Sequence, residues 1–342
     1  MTIREQTGRD LALKELADYR AGKFDASHYD TLIMTWGKSR LLEARPDIEP
    51  FLRSPQYSLR KSALYALTAY FGLQDYWPTA VQFLLYDPDT IVRSEGASAL
   101  GWLKGNTGDR QTLGVLASVV CDPYDNETVR EDAYRAMRWV AFGDSDVLGI
   151  AFYLEQDADW DFVNAHVDPA LEEERQVEAR QVLEQYYAGK VAEQDYYAML
   201  LKFGRAKLQE AREVVESFLK SETLLLQTTA LHVLVLYLQV TDNWQLAVDA
   251  LQHGPWSAHH DAREHDPEST YRQEAAFALG LLMRGTRDKA TLRILDAFLD
   301  DGYMGIEVMQ ASENIYFGDH HSEHNTVPSY DEITAYLTSP DD

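Results

Sequence analysis

Two clusters hold the side chains best suited to chemistry: His259-His260-Asp261 with Glu264-His265, and Asp319-His320-His321 with Glu323-His324. Imidazoles beside carboxylates are ligands for zinc, nickel or iron. Both clusters sit in loop-like sequence, and adjacent histidines point in different directions unless a fold converges them, so no metal site and no cofactor is expected. His-Glu-x-x-His, Gly-x-Ser-x-Gly and a phosphate-cradling glycine loop are all missing. With them go the common zinc-protease, hydrolase and nucleotide signatures, and no catalytic residue is assigned. Cys121 is the single cysteine, which excludes an intrachain disulfide and a cysteine-based zinc site and fits a reducing compartment.

Residues suited to recognition are more plentiful, with 20 Tyr and 7 Trp in the chain. Tyr65, Trp102, Arg135 and Trp139 stand at matched places in a recurring string, described below. Large rigid aromatics and arginines are the usual anchors of protein interfaces, so these four are candidate binding residues; the competing reading wedges the tryptophans between helices as core. A second group is acidic. Glu155 to Glu178 carries nine carboxylates against Arg175 alone, and Asp157, Asp159, Asp161, Glu172, Glu173 and Glu174 are candidates to meet a basic partner. The alternative for that segment is a solvated loop and helix start.

The elements that must position these residues follow from the string. It reads Pro55-Gln56-Tyr57-Ser58-Leu59-Arg60-Lys61-Ser62-Ala63-Leu64-Tyr65-Ala66-Leu67, and returns 33 residues later as Pro88 to Leu100 around Arg93, 37 later again around Arg130, and once more around Arg272. Counted from the arginine, position −4 is a polar residue that can support a helix start. Positions −1, +3, +6 and +7 are apolar, small, small and aliphatic and share one helical face. Small residues there let a neighbouring helix approach closely. Tyr65 and Arg135 are at +5, Trp102 and Trp139 at +9. Between copies lies room for one partner helix, such as Asp109 to Cys121 and Asp288 to Leu299. Fainter copies are expected at Gln176 to Leu183, Gln227 to Leu234 and Gly305 to Ala311. The first 50 residues read as helices near Arg9 to Ala21, Ser27 to Trp36 and Ser39 to Phe51, a divergent capping unit. Ser329 with Glu332 makes a capping box for a short last helix through Tyr336 and Leu337.

Two helices per repeat at this period resembles HEAT-repeat proteins, and the Val92-Arg93 to Ala99-Leu100 string is similar to the second helix of phycobilisome-lyase-type HEAT repeats. That resemblance implies an all-α, right-handed α-solenoid of antiparallel helix pairs, whose second helices line the concave face. The HEAT-repeat deoxyhypusine hydroxylases carry His-Glu iron ligands in those helices. Here Gln273-Glu274, Lys61-Ser62, Ser94-Glu95 and Glu131-Asp132 stand instead, so that iron chemistry is not implied. HEAT-like DNA glycosylases resemble a positively charged groove, whereas this chain has 56 acidic against 31 basic residues.

The expected organisation is an N-terminal HEAT-like half-array over 1–146, an irregular acidic and helical connector over 147–204, a second half-array over 205–318, and an acidic tail with a short capping helix over 319–342. A net charge of −25 repels nucleic acid and anionic lipid and steers basic proteins inward; it also keeps a protein soluble. No run of apolar residues suits a membrane span. The expectation is a cytoplasmic, non-enzymatic protein-binding solenoid that grips a basic protein in an acidic concave groove, as adaptor or inhibitor, with a toxin-neutralising immunity protein as one instance. Its oligomeric state is open. The alternative is a HEAT-like lyase, metal-dependent enzyme or ligand holder.

Overall fold

The computed structural model describes residues 3–143, 153–240, 244–253, 267–299, 305–317 and 330–339. Among them every regular element is helical and no strand occurs. The chain divides into two compact units, Met1–Glu173 and Glu174–Asp342.

The first unit contains α1 (Ile3–Arg20), α2 (Tyr29–Lys38), α3 (Arg45–Ile48), α4 (Tyr57–Tyr65, continued by a π-helical turn Ala66–Tyr70), α5 (Trp77–Tyr86), α6 (Thr90–Lys104), α7 (Arg110–Val120), α8 (Glu127–Phe142), α9 (Leu154–Asp157) and α10 (Trp160–Asn164). Helices α2, α4, α6 and α8 pack one upon the next, while α5 lies against α6 and α7 against α8. The string explains this order. Ala63, Gly96 and Ala133 at +3, Ala66, Ala99 and Ala136 at +6, and Leu67, Leu100 and Met137 at +7 are all buried. The small residues permit the approach: a Cβ on Gly96 would lie 2.5 Å from the backbone nitrogen of Leu84 on α5. Asp89 caps α6 and Asn126 caps α8 through their side chains, whereas Gln56 makes no side-chain cap on α4. The single helix expected over Ser39 to Phe51 is broken into 3₁₀ pieces around the four-residue α3. Pro46 and Pro50 supply no N–H to a continuous ladder, and Arg40 turns through positive φ.

The arginine of the string has a structural job of its own. Arg60 grips Asp87 with two hydrogen bonds, Nε to Oδ2 at 2.8 Å and Nη2 to Oδ1 at 2.7 Å, and donates to the Ser54 and Pro55 carbonyls. One repeat on, Arg93 Nη2 reaches Asp125 Oδ1 at 2.8 Å. Both pairs are buried, the aspartate side chains 4% and 1% exposed. Each arginine therefore clamps its helix to an aspartate at or beyond the end of the following one, Asp87 as the C-cap of α5 and Asp125 in the turn between α7 and α8. At the third copy the pattern loosens: Arg130 donates to the Val120 carbonyl and pairs with exposed Glu155.

The second unit takes in most of α11 (Pro169–Tyr187), which spans the division, then α12 (Tyr196–Arg205), α13 (Arg212–Phe218), α14 (Leu224–His232, with a π-helical turn Val233–Tyr237), α15 (Trp244–His253), α16 (Pro267–Leu282), α17 (Lys289–Asp296), α18 (Gly305–Phe317) and α19 (Tyr330–Thr338). Here α12, α14, α16 and α18 pack in succession, α13 lies against α14, α15 against α16 and α17 against α18. Where described, the 147–204 segment consists of helices joined by turns. Gln176 to Leu183 lies in α11 with Ala179 and Leu183 buried; Ala230, Val233 and Leu234, and Val308 and Ala311, are buried as the fainter copies require. Tyr336 and Leu337 lie in α19, and Ser329 is outside the described residues.

The two units repeat one another element by element. Tyr19, Gly22, Tyr29, Gly37, Leu41, Ala44, Arg45, Glu49, Phe51, Ala63, Leu64, Leu67, Tyr70 and Trp77 recur as the same residue types 167 positions later, from Tyr186 to Trp244. The geometry recurs with them. Arg40 and Lys207 both take positive φ after α2 and α12, the two π-helical turns coincide, and Arg45–Glu49 and Arg212–Glu216 form the same ion pair. Trp77 Nε1 donates to Thr112 Oγ1 at 2.8 Å, as does Trp244 Nε1 to Thr291 Oγ1. Asp109 caps α7 through Thr112 as Asp288 caps α17 through Thr291. By this register α11 is the counterpart of α1.

Candidate protein-docking face

Helices α4, α6 and α8 pack successively, and they carry the aromatic and arginine candidates. Tyr65, near the end of α4, meets Trp102 of α6 edge to face, ring centroids 4.7 Å apart, and Tyr70 at 5.0 Å. Trp139 of α8 is seated over the backbone of Gly105: a Cβ there would stand 2.1 Å from the indole Nε1. Only glycine leaves room for that indole. Gly37 under Tyr70 and Gly204 under Tyr237 make the same kind of seat. Arg135, one turn before Trp139, pairs with Asp132 at 3.2 Å and approaches Glu131 at 3.9 Å.

Trp102 is 38% and Trp139 37% exposed. Each indole thus lies against its neighbouring helix with one part of its surface in solvent, between the two readings the sequence offered. Aromatic edges held this way cost little entropy when a partner covers them.

Glu95 completes the set, and the sequence singled it out only as lacking a histidine neighbour. It lies on α6 two turns before Trp102, is 7% exposed, and its buried Oε1 has no hydrogen-bond partner. Burial raises its carboxyl to about 7, with Asp132 pushing in the same direction and Lys61 opposing. The Tyr65 phenol is raised too, chiefly by burial and then by Tyr70, with a smaller contribution from Glu95. No motif search finds such a group, because a lone glutamate on a helix has no spacing to recognise.

The acidic candidates are engaged locally. Asp157 accepts from its own Tyr153 N–H and Asp159 caps α10. Asp161 is exposed, and the Asp159 N–H donates to the Tyr134 hydroxyl of α8 at 2.9 Å. No hydrogen bond joins Asp157, Asp159 or Asp161 to Tyr65, Trp102 or Trp139. Glu172 lies in the first turn of α11, where a carboxylate interacts favourably with the helix dipole, and Glu173 and Glu174 follow it. Both histidine clusters, His259 to His265 and His320 to His324, lie outside the described residues. Among the described residues no group of three or more His, Cys, Asp or Glu could hold a metal ion, and no helix is long and apolar enough to cross a membrane. No protein-family model matches the chain, and no curated protein sequence does. The functional reading therefore rests on the α4–α6–α8 face itself.

Proposed function

We propose that this chain is a protein-binding α-solenoid of HEAT-like helix pairs, right-handed, in which α2, α4, α6 and α8 line a concave face that docks a basic protein. The observation that carries the reading is the pair of tryptophans at matched repeat positions, each more than a third exposed yet fixed on a rigid helix. The net charge of −25 supports a basic partner, since a field of that sign accelerates encounter with cationic surfaces. The role is that of an adaptor or inhibitor in the cytoplasm, and neutralisation of a basic toxin is one form it takes. The acidic residues Asp157 to Glu174 act in long-range steering, with the aromatic row as the anchor.

The second unit sharpens this assignment. At the positions equivalent to Tyr65, Trp102, Arg135 and Trp139 it carries His232, Leu281, Gln310 and Asn314. The shared scaffold therefore does not require aromatics there.

Affinity capture with the tagged full chain tests the proposal, using Trp102→Ala and Trp139→Ala beside the wild type. A basic protein captured by the wild type, released by salt and lost from both variants while their helical circular dichroism is unchanged, is the expected result. Undiminished capture by the variants, or variants that no longer fold, removes the aromatic row from the interface.

A further inference from the structure

Resting on the docking-face reading, we infer that Arg138, beside Trp139 near the end of α8, is the seat for one carboxylate of the protein partner, an aspartate or glutamate side chain, with Phe142 as its platform. The guanidinium carbon lies over the Phe142 ring, 4.7 Å from its centroid. Phe142 in turn meets Phe162 of α10, ring centroids 5.2 Å apart, and Phe162 meets His166 at 4.8 Å. This platform is open to solvent, Phe142 being 53% and Trp139 37% exposed. Residues three and four apart on a helix share a face, so Phe142 neighbours both Arg138 and Trp139 and joins the seat to the aromatic row.

In a chain with 56 acidic against 31 basic residues, Arg138 pairs with no carboxylate among the described residues. Its helical neighbours at three and four residues, Tyr134, Arg135, Ala141 and Phe142, carry no acid. Glu131 and Asp132 are turned to Arg135, Asp159 caps α10, and exposed Asp161 forms no ion pair with Arg138. Nε is buried without an acceptor, which packs the stem of the fork in place, while Nη1 and Nη2 are not buried. A guanidinium stacked on a ring keeps its N–H donors in its own plane, and the two terminal nitrogens match the two oxygens of a carboxylate.

The scaffold does not call for a cation here. The Gly285 N–H donates to the Asn314 carbonyl as the Asn106 N–H does to that of Trp139, a register that sets Glu313 against Arg138 and Phe317 against Phe142. The second unit thus keeps the phenylalanine and reverses the charge. The occupant follows from the donors. A cation would be repelled, and an apolar group would cover the guanidinium without offering an acceptor. The net charge of −25 draws in a basic partner as a whole and disfavours each of its anions, except where an unpaired cation receives one. Such a contact fixes register and rejects basic surfaces that lack the carboxylate.

The test uses the full-length chain and two fluorescein-labelled peptides, with three lysines on either side of a central Glu-Leu or Gln-Leu pair, in anisotropy titrations at constant ionic strength. Steering alone favours the Gln-Leu peptide, which carries one more net positive charge. The seat predicts the opposite order, with the Glu-Leu peptide bound about fivefold more tightly by the wild type. Arg138→Gln should return the order to that of steering, with helical circular dichroism unchanged, and Arg138→Glu, which copies the second unit, should favour Gln-Leu more strongly still. A wild type that favours Gln-Leu, or does not discriminate, overturns the inference without recourse to any variant. So does an Arg138→Gln protein that keeps the preference for Glu-Leu. If both peptides bind equally and both are lost from Trp102→Ala, the docking face stands and the seat falls. If neither binds the wild type even at low salt, both fall.

Discussion

Replacing Arg60 by methionine should be among the most damaging single changes in the first unit. The Asp87 carboxylate, 4% exposed, accepts two charge-assisted hydrogen bonds from Arg60 and one from the Asp89 N–H. Removing the guanidinium leaves a buried charge with one neutral donor. At about 1.5–3 kcal/mol for each bond to a charged group, the loss comes to about 3–6 kcal/mol, close to the usual cost of about 3–5 kcal/mol for breaking a buried pair from one side. Asp87→Ala should cost less, because Arg60 keeps the Ser54 and Pro55 carbonyls at 2.9 and 3.1 Å. The double variant should then cost less than the sum of the two, with a coupling of about 2 kcal/mol or more. Urea unfolding of all four proteins, followed by far-ultraviolet circular dichroism, measures that coupling. Additivity to within about 0.5 kcal/mol would mean that the clamp does not act as a unit, and the role given to the repeat arginine would be wrong.

Gly96→Ala should lower stability by about 1–3 kcal/mol, since the new methyl meets Leu84 N at 2.5 Å and the Ala80 carbonyl oxygen at 2.9 Å, backbone atoms that cannot turn aside; a thermal melt reads this. Gly105→Ala should act differently, because the atom met is the tip of an indole: Trp139 swings out, its emission shifts to longer wavelength, and helical content stays unchanged. Glu95 should make stability depend on pH. Its folded carboxyl titrates at about 7 against an ordinary 4.5, so the folded chain holds a proton that the unfolded chain has released. Stability from this group is full below about 4.5 and is lost as pH rises through about 7, by up to about 3 kcal/mol. Urea midpoints at pH 5.5 and 8 should separate for the wild type more than for Glu95→Gln.

The buried positions of the fold were legible because they are local. Offsets −1, +3, +6 and +7 from each arginine describe one helical face, and a face is a property of neighbours in sequence. Asp89 and Asn126 were legible as caps for the same reason. The partner of Arg60 was not, because Asp87 stands 27 residues away and nothing in the spacing singles it out among the acids of that stretch. The isolation of Glu95 depends on what α4, α5 and α8 fail to supply, which no single helix records. The pairing of the two units had a visible signal in Tyr29, Gly37, Leu41, Ala44 and Arg45 against Tyr196, Gly204, Leu208, Ala211 and Arg212. A search at the period of one helix pair misses it, since the repeated object is several pairs long and its most regular string, around Arg60, has become Gln227 in the second copy.

That internal pairing separates what the scaffold needs from what one unit adds. Residues that keep both type and contact, such as Trp77 with Thr112 and Trp244 with Thr291, serve packing that any copy must preserve. The clamp is less strictly kept: where Arg60 grips Asp87, Gln227 reaches only the nearby Ser221 carbonyl, a local bond in place of a tie between repeats. The outward positions change most in character. The first unit carries Tyr65, Glu95 and Trp102, whereas the second keeps glutamate at the equivalent position 274 but has His232 and Leu281 in place of the aromatics. Under the docking-face proposal, the positions that would set specificity lie in the first unit, where Trp102 and Trp139 are each more than a third exposed.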